Sequence, residues 1–382
     1  MTQGFSAYLN ALRFGAALVV LIGHWSYFTQ DAAISGWILD RDIARDAVVI
    51  FFVMSGLVIA YSSERKRELG LSGYTADRLG RLWSVAIPVV VISFVIVKLF
   101  NAADIRFMPN YPDNPVEWVQ MSAMALSFSN QVWGFNTDVV ANAPWWSLSY
   151  EAWYYAIFGV VFFLSGYRQV FWATLLFFCA GPKIWLLGPA WVAGVVLWRM
   201  IAAGHHQKLS SQTAWLGAGL TLGLYLAAQG FDIPNWIKHH TEAVLGSDVY
   251  DAMGMSAPFV WLNILGVLTA INIVCCARLY ARDNAPDGPV RRSIHWFSDA
   301  TYSLYLLHMP VIFTVYSLLP ETTPWLTRAV LYLAAPMAVS LLFAQVFERR
   351  DWGLRARLRA WAARFRDNGG HSTARLQEPA SA

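Results

Sequence analysis

The chain is predicted to be an all-α, polytopic integral membrane protein, and three observations carry that expectation. Of its 382 residues, 57% are hydrophobic and 14% charged, whereas soluble domains carry about 25% charged residues. Mean hydropathy is +0.42. Apolar runs close to the length of a bilayer-crossing helix recur from one end to the other, leaving no stretch for a separate soluble domain.

A hydrocarbon core of about 30 Å takes about 20 helical residues. Runs at 7–28, 44–63, 83–100, 145–165, 169–181, 183–201, 213–229, 258–279, 297–319 and 325–347 therefore predict about ten transmembrane helices. The first is expected to be a retained span, since no basic n-region or cleavage site accompanies it. The run 169–181 is short, and Gly181-Pro182 breaks it from the next. The segment "VEWVQMSAMALSFSN" (116–130) is apolar but marginal in length. Basic residues decide its status. Arg65, Lys66, Arg67, Arg78 and Arg81 mark one cytoplasmic loop, Arg199 and Lys208 a second, and Arg278, Arg282, Arg291 and Arg292 a third. Arg349, Arg350, Arg355, Arg357 and Arg359 put the C-terminus on the same side. Treating 116–130 as re-entrant or interfacial keeps every basic loop inside, with both termini cytoplasmic. The long outer loops then carry Asp104, Asp113, Glu117, Asp138, Asp232, Glu242, Asp248 and Asp251. Residues 1–350 form the transmembrane domain. Residues 351–382 are expected to form a basic amphipathic helix on the inner leaflet, with disorder from 367 onward.

Some functions are excluded early. Cys179, Cys275 and Cys276 lie in apolar runs without metal-ligand spacing and read as packing residues. His205-His206 and His239-His240 fall in hydrophilic loops and read as solvated, so no metal site is expected. Nothing suggests nucleic-acid binding: no glycine-rich phosphate loop, GxSxG or CxxC is present.

The candidate site residues are polar groups inside apolar runs. In "LRFGAALVVLIGHWS", Arg13 and His24 are eleven positions apart. That is about 1100° of helical rotation, three turns plus about 20°, so both project from one face with an axial separation of about 16 Å. A charge within a span costs about 2.5–3.5 kcal/mol on insertion scales. Such groups mark a site or snorkel to an interface, and this helix alone leaves both readings open. "FFVMSGLVI" (51–59) places Ser55-Gly56 inside a span, where small residues let helices approach closely. Arg78 and Arg81 in "RLGR" stand at i and i+3; they could grip phosphates or simply supply positive-inside charge. Glu151, in "WWSLSYEAWYY" (145–155), falls near the outer end of its span, as part of a site or of an aromatic belt. His308, in "YSLYLLHMPV" (302–311), falls near mid-membrane, as a site residue or a core histidine.

Taken together these segments resemble the acyltransferase 3 family of membrane-embedded acyl transferases. Arg13 and His24 match its R-x10-H motif and Arg78 and Arg81 its R-x2-R motif. "FFVMSGLVI", "WWSLSYEAWYY" and "YSLYLLHMPV" are similar to its FFxLSGFLI, WSLxxExxFY and SYSxYLxHxP segments. The likeness runs from about residue 6 to about residue 350 and departs at "ARDAVVIFF", where the family has GxxGVxxFF. The resemblance implies transfer of an acyl group, most often acetyl, from cytoplasmic acyl-CoA to a hydroxyl of a cell-surface or exported glycan. It also implies a bacterial inner-membrane location and no permanently bound cofactor.

On that footing His24, with an unperturbed pKa near 6.5, is the expected general base. Glu151 is expected to orient the imidazole or bind an acceptor hydroxyl. Arg13 is expected to bind the donor or steady the thioester oxyanion, while Arg78 and Arg81 hold the anionic part of CoA. Trp145, Trp146, Ser147, Tyr154 and His308 are candidates for contacting substrate. The rival reading is a transporter or flippase with Arg13, Glu151 and His308 lining its path.

Overall fold

The computed structural model describes residues 1–29, 36, 38–99, 114–137, 139, 141–286, 288–320, 322–350 and 353–374, with side chains to 364 in the last helix. Among them the chain is all-α, without strands. The helices are α1 (Gln3–Thr29), α2 (Ile43–Arg65), α3 (Gly70–Leu99), α4 (Pro115–Leu126), α5 (Trp146–Phe163), α6 (Gly166–Ala180), α7 (Pro182–Ala202) and α8 (Ser211–Gly230). After them come α9 (Ile233–Leu245), α10 (Ser247–Ala252), α11 (Phe259–Leu279), α12 (Pro289–Ser298), α13 (Thr301–Leu318), α14 (Trp325–Ala344) and α15 (Leu354–Ala374). Nine of the ten predicted runs coincide with a helix to within about four residues; the run 83–100 is the later part of α3, which begins thirteen residues earlier, at Gly70.

Among the described residues, six stretches are long and apolar enough to cross a membrane: Gln3–Thr29, Ile43–Arg65, Arg67–Leu99, Pro182–Ala202, Phe259–Leu279 and Trp325–Arg364. Helices α5, α6, α8 and α13 fall short of that measure. For α5 and α13 the reason is chemical: tyrosines, tryptophans, serines, Glu151 and His308 replace the aliphatic residues that raise hydropathy. Helix α4, capped by Asn114 Oδ1 on the Val116 and Glu117 amides, has 12 residues. At 1.5 Å per residue it reaches about 18 Å, well short of the about 30 Å core.

Helix α2 sits at the centre, packed on α1, α5, α7 and α11. Its approach to α7 depends on two glycines. A Cβ on Gly56 would stand 2.1 Å from the Trp191 carbonyl oxygen, and one on Gly194 would stand 1.9 Å from that of Val53. The packing role expected of Gly56 is therefore met. Gly181, at φ 82°, makes the break between α6 and α7 and also lies against Trp133.

Prolines within helices are tolerated in membrane proteins when neighbours re-satisfy the freed carbonyls. Pro310 has no N–H for the Leu306 carbonyl, and Asn142 Nδ2 donates to that oxygen at 2.8 Å instead. This bond ties the chain entering α5 to the middle of α13.

Several expectations need correction. Helix α15 continues to Ala374, past residue 367 where disorder was expected, and 375–382 lie outside the described residues. The tail helix docks along α3: Arg359 pairs with Asp77, and the Arg355 stem lies against Gly80. His206 is buried, at 8% exposure, because the turn after α7 folds against α11. Burial first, and Arg278 second, push its imidazole below the ordinary value. Asp104, Asp113 and Asp138 lie outside the described residues. The departure at "ARDAVVIFF" carries Asp46 into the first turn of α2. There it is buried and accepts from Trp261 Nε1 at 2.8 Å, Gln229 Nε2 at 2.7 Å and Tyr225 Oη at 3.2 Å.

Candidate active site

Among the described residues, two neighbouring cavities of the bundle lie on either side of a shared partition. The larger encloses about 150 Å³ and lies among α1, α2, α3, α5 and α13. Arg13, Arg78, Arg81, Ser55, Ser147 and Glu151 give it its polar lining. The spacing of the two motifs explains the convergence: Arg13 leaves α1 where that helix faces α2, and Arg78 and Arg81 share one side of α3. None of the three guanidiniums makes a hydrogen bond or ion pair with a described residue. The Arg78 Nε is buried without a partner, and its guanidinium lies over the Tyr74 ring at 5.7 Å. Three cations thus line the cavity with one carboxylate, a second, Glu348, standing behind Arg13 and Arg81, in a space of about five water volumes at about 30 Å³ each. Buried charges without partners are costly, so this lining is complementary to an anion.

Glu151 is held in place. Ser55 Oγ donates to its Oε1 at 2.7 Å, and the Tyr155 hydroxyl donates to the same oxygen. Ser55 in turn accepts from Trp191 Nε1 at 3.2 Å. Ser55 lies midway along α2, so Glu151 stands at the middle of that helix. The cause is the route of the chain: α5 begins inside the bundle, where Asn142 is tied to α13.

The smaller cavity, about 70 Å³, is lined by His24, Tyr27, Asp42, Arg45 and Trp146 among others. Asp42 and Arg45 pair at 2.9 Å. The partner of His24 is His308, not Glu151. His308 Nε2 lies 3.1 Å from His24 Nδ1, which is also 2.9 Å from the Val20 carbonyl oxygen; His308 Nδ1 is 3.0 Å from the Leu304 oxygen. One proton assignment satisfies all three contacts. Each Nδ1 carries a hydrogen, so His308 donates to Leu304 and accepts on Nε2 from His24. The opposite assignment would set a nitrogen lone pair against each carbonyl. Placed this way, the Nε2 of His24 keeps its lone pair and bonds to no described residue.

Val48 and Tyr305 line both cavities and form the partition. The Tyr305 hydroxyl is 2.6 Å from Ser147 Oγ and donates to the Pro144 carbonyl at 3.1 Å.

The structure therefore brings Arg13, Arg78, Arg81, Glu151 and Ser147 to one cavity, and His24 and Trp146 to the other, with His308 behind His24. It does not bring Trp145 or Tyr154 to either. Trp145 is fully buried and donates to the Ala125 carbonyl at 3.3 Å. Tyr154 is buried and donates to the Ile184 carbonyl at 2.7 Å. Both serve the core. Sequence reasoning missed Val48, Tyr305, Asp42 and Arg45. Tyr305 lay inside the quoted "YSLYLLHMPV"; Asp42 and Arg45, three apart at the start of a span, look like ordinary flanking charge.

A family model described as an acyltransferase domain, that of the acyltransferase 3 family, matches residues 6–345. Comparison with curated proteins and with solved structures returned no match.

Proposed function

The chain belongs to the acyltransferase 3 family, and on that premise we propose that it moves an acyl group, acetyl by the family's habit, from acyl-CoA to a hydroxyl of a glycan. The observation that carries the reading is the set of three guanidiniums, unpaired with any described residue, gathered in a cavity one partition away from an imidazole with a free ring nitrogen.

Arg78 and Arg81 bind the phosphates of the donor through charge-assisted, bidentate hydrogen bonds. Arg13 lies deeper on the same cavity and helps to hold the donor. An oxyanion role for it is set aside: it is about 16 Å along α1 from His24, too far for one carbonyl to meet both groups. The acceptor hydroxyl enters the smaller pocket beside His24. Nε2 takes the hydroxyl proton as the oxygen bonds to the thioester carbonyl carbon. The C–S bond then breaks, and the CoA thiolate takes up the proton from the imidazolium or from water. General-base assistance of this kind contributes about 10²–10⁴-fold. His308 is a positioning residue: it accepts from Nδ1–H and so presents Nε2 as the base. Glu151, with Ser55 and Tyr155, fixes the acidic wall of the donor cavity and partly balances its charge.

The direction of the reaction follows the basic-loop topology: the donor from the cytoplasmic side, the acceptor from the outer face of a bacterial inner membrane. The test is reconstitution. Purified protein in vesicles, given acetyl-CoA labelled in the acetyl group and a glycan acceptor, should produce a hydroxylamine-labile labelled ester. Movement of unmodified glycan with no ester formed would instead support transport.

A further inference from the structure

We infer that Val48 and Tyr305 form a sieve that limits the length of the acyl group passing from the donor cavity to His24. The inference rests on the acyl-transfer reading above. The guanidiniums lie on one side of the partition and His24 on the other, and the two residues shared by both cavities stand between them. For a thioester carbon to reach a hydroxyl beside His24, the tip of the donor must cross this gap.

The side chains of the partition are fixed. Val48 is 5% exposed, and its β-branched side chain is stiff at χ1. The Tyr305 ring cannot swing aside without breaking the contacts of its hydroxyl with Ser147 and the Pro144 carbonyl. Its ring also sits 5.8 Å from Phe51 and 6.0 Å from His308, centroid to centroid. Past the gap, the His24 pocket of about 70 Å³ is about two water volumes at about 30 Å³ each. That space takes the tip of a short acyl group and has nowhere to store a longer chain. The two residues shared by the cavities carry no charge, so selection between them acts on size.

Apolar pockets discriminate by about 10–200-fold per methylene. The wild type should therefore use butyryl-CoA at least about tenfold less well than acetyl-CoA in kcat/KM. The experiment measures that butyryl-to-acetyl ratio for wild type, Val48→Ala, Val48→Leu and Tyr305→Phe in reconstituted vesicles. Val48→Ala should raise the ratio at least about tenfold, and Val48→Leu should lower it. Tyr305→Phe, which frees the ring from Ser147 and Pro144, should raise it by a smaller factor. Because both donors are read on the same preparation, a variant's folded fraction cancels from its ratio. Ratios that stay at the wild-type value in Val48→Ala and Val48→Leu, in preparations that transfer acetyl, would overturn the sieve alone. No transfer from any donor by the wild type would overturn the acyl-transfer reading and the sieve with it.

Discussion

Removing His308 should slow chemistry without weakening substrate binding. Its Nε2 accepts from His24 Nδ1–H at 3.1 Å, and the same hydrogen also faces the Val20 carbonyl at 2.9 Å. In His308→Ala the proton therefore stays on Nδ1, but the ring loses one of its two anchors. A neutral hydrogen bond contributes about 0.5–1.5 kcal/mol net. At about 1.36 kcal/mol per decade of rate, the loss is about 2–13-fold in kcat. His24→Ala removes the base itself and should cost about 10²–10⁴-fold. Because His308 acts only through His24, the double variant should be no slower than His24→Ala alone. Independent roles would give the product of the two losses. His308→Gln should recover part of the rate, since its amide oxygen can accept from Nδ1–H. The assay is steady-state transfer of labelled acetyl in vesicles, with kcat and KM resolved. A double variant as slow as the product, or a loss confined to KM, would refute the positioning role.

Three further outcomes are expected. Arg78→Gln and Arg81→Gln should each weaken acyl-CoA binding by about 10–150-fold, the loss of a charge-assisted hydrogen bond of about 1.5–3 kcal/mol; titration calorimetry on the purified protein reads this, and unchanged affinity would contradict it. Gly56→Ala and Gly194→Ala should each lower thermal stability sharply, because the added methyl meets backbone carbonyls at 2.1 and 1.9 Å; overpacking costs about 1–3 kcal/mol or more, and an unchanged melting temperature in detergent would show that α2 and α7 part more easily than their packing implies. Asn142→Ala should destabilise by about 1–3 kcal/mol by leaving the Leu306 carbonyl unsatisfied. Pro310→Ala in that background should restore stability by returning a backbone donor, and thermal melts of the single and double variants check the coupling.

The helices were legible in the sequence because a bilayer demands long apolar runs, and those runs show without any knowledge of contacts. The shared face of Arg13 and His24 was legible for the same kind of reason, since it follows from helical pitch alone. What each residue meets was not. His308 reaches His24 from 284 positions away, and nothing in either run names its partner. Position within an apolar run puts Glu151 near one end of its helix but does not reveal that it meets Ser55, midway along α2. Trp145 and Tyr154 are candidates for contacting substrate by sequence, yet their polar atoms are spent on the carbonyls of Ala125 and Ile184. An aromatic residue with a polar tip serves an interface or a core equally well, and only packing tells which.

The most direct test of the account is a structure of the protein with a non-hydrolysable acetyl-CoA analogue bound. The account predicts the donor phosphates against Arg78 and Arg81, the thioester end through the gap between Val48 and Tyr305, and the acetyl carbonyl within reach of His24 Nε2. Phosphates bound away from those arginines, or an acetyl group that stays on their side of the partition with the acceptor bound, would contradict it.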